Sequence, residues 1–359
     1  VLQVSILLPV YNGDAYLEEA IRSALSQSFA NFELLIGDDA SSDSSGKIIE
    51  QYANGDARVV SWRNETNVGL FANYNECLKR ATGKYIKPFA QDDLLERDAL
   101  KNMVAALEKD PGIALVSCAR RLIDIDGNST QVSREYKGDK VFDSDAVLRE
   151  SLLKVKNGIG EPSAVMFPRS LAGDGFDVSY YHLGDIEYWF RIVHGNKYFY
   201  LDEPLCSFRQ HKGSTTSKNA KGLKFAVDMI NLGKKYSAFL EREGIGAEAY
   251  SRLVAQACAT HVKFLFRHGQ ISLSDLLAVG DSTDSRGSDL AAFKELLFYS
   301  LLISAETLEE DFALKQEWQS ERISLEDTIA RLINSRSWKA TVPLRGVNKL
   351  IGSIRESVP

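Results

Sequence analysis

Residues 86–95 read IKPFAQDDLL, an apolar run that ends in two adjacent carboxylates, Asp92 and Asp93. Like charges side by side repel, and burying them costs desolvation free energy unless a cation lies between them or both stay in water. Two readings are open: a solvated turn that caps a helix starting near Glu96, or a seat for a divalent cation. Mg²⁺ and Mn²⁺ take oxygen ligands, usually one or two carboxylates plus substrate phosphates, and so held would stabilise a diphosphate as a leaving group. A second pair, Asp38–Asp39, closes FELLIGDD. There Asp39 could accept a hydrogen bond from a nucleotide base, while Asp38, Ser41 or Ser42 could cap the next helix. Tyr11, at the exit of VSILLPV, could stack on a base or be an ordinary turn residue. No G-x-G-x-x-G or P-loop accompanies these residues, so the usual phosphate-binding signatures are missing.

The elements that must carry these groups follow from the pattern. VSILLPV, FELLIGDD, ARVVSWRN and KYIKPFAQ read as strands, and helices are expected over about 14–28, 44–53 and 69–81. Strand–helix alternation at this spacing predicts an α/β fold, a mostly parallel sheet with helices on both faces. Such sheets bind ligands beyond the carboxyl ends of their strands, where both acidic pairs fall. Further on, ALVSCARRLIDIDGN and GEPSAVMFPRS read as strands, GDIEYWFRIVHG as a helix ended by Gly195, and KYFYLDEPLCSFRQH as a strand with a polar tail. From about 219 the pattern is helical almost throughout. Four regions are expected: 1–118, 119–218, a helical 219–335, and a basic amphipathic tail over 336–359.

Composition narrows the class. With 359 residues, 44% hydrophobic and 26% charged, the chain has the balance of a globular protein with ample core. A net charge of −6 provides no basic field for nucleic acid. Cys77, Cys118, Cys206 and Cys258 form no C-x-x-C pair and read as small buried hydrophobes in a reducing cytoplasm. No apolar run approaches the ~20 residues of a membrane span. The opening VLQVSILLPV lacks a basic leader and is expected to be a strand, not a signal peptide.

Taken together, VSILLPVYNGDAYLEEAIRSALSQSFANFELLIGDDASSDSS and NVGLFANYNECLKRATGKYIKPFAQDDLL closely resemble the amino-terminal half of family 2 glycosyltransferases over residues 3–118. The resemblance implies a GT-A fold, a Rossmann-like sheet followed here by an α-helical region. It implies nucleotide contacts at Pro9, Tyr11, Asp39, Asn67, Asn73 and Asp92, and a divalent metal on Asp93. Gln91 occupies the position that often bears the first acid of the metal motif. HLGDIEYWFRI resembles the E-D-x-x-x-W-x-x-R block, which makes Asp185 the catalytic base, with Gly184 replacing the preceding acid and Glu187 in reserve. Read from the residues alone, Asp185 is the helix N-cap and Glu187 suits the first turn. FRQHKGSTT resembles R-x-H-x-x-S, so His211 would complete the metal site or touch the diphosphate, with Arg209 compensating charge. Glu161, in GEPSAVMF, and Trp189 are acceptor-side or diphosphate candidates by the same resemblance.

The implied reaction is a single inverting displacement from a nucleoside-diphosphate sugar, UDP- or dTDP-linked, to a glycan or lipid-linked acceptor, of the kind that builds bacterial surface polysaccharides. The segment from Arg331 holds six basic residues against Glu356 alone, with apolar residues such as Trp338 and Leu344 between them. It suits peripheral contact with the cytoplasmic face of an inner membrane, or packing on its own protein. Trp318, Leu325 and Leu332 recur every seven residues, as in a short coiled coil, although Arg322 interrupts the seam. Oligomeric state, a homo-oligomer included, stays open. A processive synthase would want membrane spans and Q-x-x-R-W, and a pyrophosphorylase a glycine-rich basic loop after the first strand; neither is present. A non-catalytic scaffold is the rival from another class.

Overall fold

The computed structural model describes residues 2–267, apart from Lys212 and 215–223. The tail 336–359 and the heptad-spaced Trp318, Leu325 and Leu332 lie outside the described residues. Strands β1 (Val4–Val10), β2 (Phe32–Asp38), β3 (Val59–Arg63) and β4 (Tyr85–Pro88) pair in parallel in the order β3-β2-β1-β4. Short β5 (Leu94–Leu95), long β6 (Ile113–Ile123), β7 (Ser129–Ser133), β8 (Lys140–Asp143), β9 (Val165–Pro168) and β10 (Lys197–Arg209) complete a ten-stranded mixed sheet. Antiparallel β9 joins its halves, bonding to β4 on one side and β6 on the other.

Every residue of β1 is buried, as a central strand covered on both faces requires. Val4, Ile6, Leu8 and Val10 share one core with α1 (Leu17–Leu25) and α4 (Ala99–Glu108). Helix α2 (Ser45–Gly55) adds Ile49 to that core. Helix α3 (Leu70–Arg80) packs on β1 and β2, yet its buried Phe71, Tyr74 and Cys77 stand outside the same core, so it covers the opposite face. Short α5 (Ser144–Leu148) is followed by α6 (Gly184–Val193), and beyond β10 come α7 (Lys224–Lys235), α8 (Ser237–Arg242) and α9 (Ala247–Arg267). Residues Val1–Ala257 form one compact unit; of the second, Cys258–Pro359, only the end of α9 is described. No helix among the described residues is long and apolar enough to cross a membrane.

Two boundaries differ from expectation for local reasons. Helix α1 begins at Leu17, not Asp14, because residues 13–16 form a turn tied to the neighbouring loop: Asp14 N–H donates to Asp43, and the Asp14 carboxylate accepts from Ser44 N–H. Helix α4 starts at Ala99, after β5 has paired with β10, so Asp92 and Asp93 cap no helix. The capping reading of that pair is thereby removed. None of Asp38, Ser41 and Ser42 caps α2 either; Asp43 Oδ1 takes the Ser45 N–H there.

Candidate functional site

The β1–β4 ladder stops at Leu7–Pro88, so the two strand ends part and leave a seam at the sheet's carboxyl edge. Pro9, buried just past this point, has no N–H to offer a ladder and needs none. The Gln91 side chain bridges the seam. Its Oε1 accepts from Tyr11 N–H at 2.9 Å, and its Nε2 donates to Tyr11 C=O at 3.1 Å. A Cβ on Gly13 would stand 2.5 Å from Gln91 Oε1, which explains the glycine there. With its backbone held, Tyr11 projects its ring outward, 48% exposed.

Asp39 is 2% exposed. Its carboxylate accepts from Asn64 Nδ2, Val68 N–H and Gly69 N–H, each at 2.9 Å, and so folds the 64–69 loop over the end of β2. A carboxylate offers about four acceptor positions, which leaves roughly one for a ligand. Asn67 is exposed on the same loop, and a hollow of about 290 Å³ beside it is lined by Asn64, Val68 and Ala72. Asn73 is not a ligand group: it is buried, its Nδ2 bonded to Gly37 C=O at 2.7 Å and its Oδ1 near Asn64 Nδ2. Asp38 is likewise occupied, by Arg63 and by Ser41 N–H.

At the fourth strand's exit the two acids face different surroundings. Asp92 turns toward the cleft, and its Oδ2 lies 2.9 Å from His211 Nε2. Asp93 is sealed, 1% exposed, with Oδ1 accepting Arg209 N–H and the Ser163 hydroxyl beside the carboxyl group. Burial, with Asp92 beside it, pushes the Asp93 carboxyl up to about 8. His211 thus meets Asp92, and Asp93 lies behind it. Arg209 is buried. It donates to the main-chain oxygens of Asp92, Asp124 and Ile125 and to Glu19, and its guanidinium lies 4.5 Å over the Tyr16 ring. It straps the acidic turn in place.

Asp185 stands in the first turn of α6, buried, with Oδ1 accepting Ile186 N–H. Burial first, then the neighbouring charges of Glu161 and Asp228, raise its carboxyl to about 7. Gly184 precedes it because the Phe71 ring lies 2.5 Å from where a Cβ would be, so no acid fits there. Glu187 is corrected from reserve base to ion-pair anchor: wholly buried, it holds Arg191 through both oxygens and Lys235 at 2.6 Å. Two residues along a helix from Asp185 it points to the far side. Trp189 is also corrected. It is fully buried among Phe167, Phe176 and Tyr188, and its Nε1 donates to Gly160 C=O at 3.2 Å. It thereby supports Glu161, which pairs with Arg120 at 3.0 Å and stays partly open.

These carboxylates converge. Buried Tyr74, whose phenol is pushed well above its ordinary value chiefly by desolvation, also feels Asp93, Asp92 and Asp185. Glu161 raises both Asp93 and Asp185. Among the described residues no three histidine, cysteine, aspartate or glutamate side chains form a closed metal cage. Two donors on one side, with a buried carboxyl group behind, nevertheless fit a hard divalent cation shared with substrate phosphates.

Comparison with known proteins follows the same lines. The family model described as Glycosyl transferase family 2 matches residues 5–175. An uncharacterized protein of Mycobacterium tuberculosis is 34% identical over 59% of this chain and 68% of its own. An uncharacterized glycosyltransferase of Rickettsia typhi is 29% identical over 60% and 66%. Among solved structures, S. aureus TarS in complex with UDP-GlcNAc has a TM-score of 0.57 at 19% identity, covering 83% of this chain and 87% of TarS. The mannosyltransferase PcManGT of Pyrobaculum calidifontis, in complex with GDP-Man and Mn²⁺, has a TM-score of 0.51 at 21% identity, covering 84% and 86%. At these identities the two structures speak for the fold.

Proposed function

The chain belongs to glycosyltransferase family 2, and on that premise we propose that it is an inverting, metal-dependent transferase. It moves a sugar from a UDP- or dTDP-linked donor to a hydroxyl of a glycan or lipid-linked acceptor in bacterial surface-polysaccharide assembly. The observation that carries this reading is the delivery of His211 onto Asp92 across 119 residues of chain. The second half of the protein closes on the first half's acidic turn where a diphosphate would lie.

In this reading Tyr11 and Asp39 hold the nucleotide base, and Asp92 with His211 holds the cation. A divalent cation held by these two residues would offset charge on the diphosphate. Asp185 takes the proton of the acceptor hydroxyl as its oxygen attacks the anomeric carbon. A carboxylate with a value near 7 is ionised for much of the protein population at neutral pH, yet basic enough to accept that proton. One base and one displacement invert the anomeric centre. Glu161, paired with Arg120, borders the acceptor side.

Calorimetric titration of UDP, dTDP and GDP, with and without Mn²⁺, tests the reading on the wild-type chain and on Asp92→Ala. One nucleotide binds in a metal-dependent manner, and Asp92→Ala removes that binding. If no nucleotide binds under either condition, the transferase reading falls and the scaffold reading replaces it.

A further inference from the structure

Helix α7 reaches across to the turn that launches α6. One oxygen of Asp228, Oδ2, accepts three successive backbone N–H groups: Tyr181 at 3.0 Å, His182 at 2.6 Å and Leu183 at 2.9 Å. Leu183 is the residue from which α6 starts, and Asp185 follows two positions later. Asp228 is wholly buried. A second tie lies two helical turns along α7, where Lys235 donates to Glu187 at 2.6 Å. Both contacts lie beyond residue 175, where the family match stops.

Burying a carboxylate is costly unless hydrogen bonds compensate. A serine or asparagine could have closed this turn more cheaply. Three charge-assisted bonds converging on one oxygen do what a neutral cap does not: they fix three consecutive peptide planes at once. The direction in which α6 leaves the turn, and hence the aim of its first-turn carboxylate, is set by a side chain of the helical region. We propose that Asp228 is a positioning residue for the transfer reaction, acting through the 181–183 turn to aim the Asp185 carboxylate. The proposal rests on the reading of Asp185 as the base. The negative charge of Asp228 also contributes to the raised value of Asp185, though less than burial does.

The test compares Asp228→Asn with wild type and with Asp185→Asn in the full chain. Hydrogen exchange followed by mass spectrometry needs no donor. In Asp228→Asn, exchange rises over residues 177–190 while nucleotide binding is unchanged. Turnover is read as nucleoside diphosphate released from a panel of UDP-, dTDP- and GDP-sugars. There kcat falls by about 100-fold, the loss typical of an ångström-scale misplacement, with KM for donor held within about threefold. The acidic limb of the pH profile also moves to lower pH, which a purely structural role would not produce. Unchanged exchange over 177–190, or unchanged kcat and pH profile, overturns the proposal. If Asp185→Asn retains wild-type turnover, the base reading itself fails, whatever Asp228→Asn does. Should Asp228→Asn lose nucleotide binding through misfolding, Asp228→Glu decides, since it keeps the charge but displaces it by one methylene. Reduced kcat in folded Asp228→Glu supports the proposal, and wild-type kcat overturns it.

Discussion

Gln91 pairs with Tyr11 as a strand would, one carboxamide satisfying both the N–H and the C=O of a residue 80 positions away. The bond pair continues the β1–β4 ladder by side chain where the backbone ladder has stopped. Replacing Gln91 with Leu removes both bonds and frees the Tyr11 backbone. At about 1 kcal/mol per bond, nucleotide affinity should fall by up to roughly thirtyfold, any remainder appearing as a lower Tm. Calorimetry on Gln91→Leu checks this; unaltered affinity would separate Tyr11 from the base.

Neighbouring acids should differ in effect. Asp92→Asn removes the carboxylate that faces His211, and metal-dependent nucleotide binding should drop by more than about 100-fold. Asp93→Asn keeps an oxygen for the Arg209 N–H and should lose far less affinity. Titrating Mn²⁺ against each variant with nucleotide present ranks them. The reverse ranking would restore Asp93 as the direct ligand.

The Asp185 carboxyl, at about 7, gives two linked expectations. Turnover per KM should rise with pH through an inflection near 7, since the base must be ionised in the free enzyme. Stability runs the other way. Its native-state value lies above the unfolded one, so stability present below pH 4 is lost as pH rises through 7. Asp185→Asn should therefore lose transfer by at least about 100-fold yet melt higher than wild type at pH 8, with the gain vanishing near pH 3. Melting curves at the two pH values suffice, and equal curves at pH 8 would show that the charge is not held at a cost.

Glu187→Gln tests the other side of α6. Bonds to Arg191 and Lys235 weaken, but both cations are partly exposed and can turn to water. A loss of about 1–2 kcal/mol is expected, visible as a lower Tm, with nucleotide binding intact and transfer reduced only modestly. A loss as deep as that of Asp185→Asn would return Glu187 to the chemistry.

The strands were legible because Val4–Val10 and Phe32–Asp38 are continuous apolar runs bounded by turns, and the two acidic pairs were legible because apolar runs lead into them, Phe32–Asp38 into Asp38–Asp39 and the run from Tyr85 into Asp92–Asp93. Which member of a pair faces the cleft was not. Asp92 and Asp93 lie in a turn beyond the end of β4, and spacing alone does not give the direction in which a turn presents each side chain. The internal bonds of four candidate residues were not legible either. Asn73, Arg209, Glu187 and Trp189 are polar or amphipathic groups bonded to partners far along the chain. The bridge from Gln91 to Tyr11 and the turn closed by Asp228 went unread for the converse reason: the partners are backbone groups, which leave no mark in the side-chain pattern.

Arg209 binds together segments that meet nowhere else in sequence: Glu19 after the first strand, Asp92 after the fourth, and the turn at Asp124–Ile125. It lies outside the matched stretch 5–175, as does the turn closed by Asp228. A fragment cut at residue 175 would keep most of the nucleotide-side residues and lose the cation that clasps them. The most recognisable half of this molecule is thus not an excisable module: its clasp is supplied from outside it.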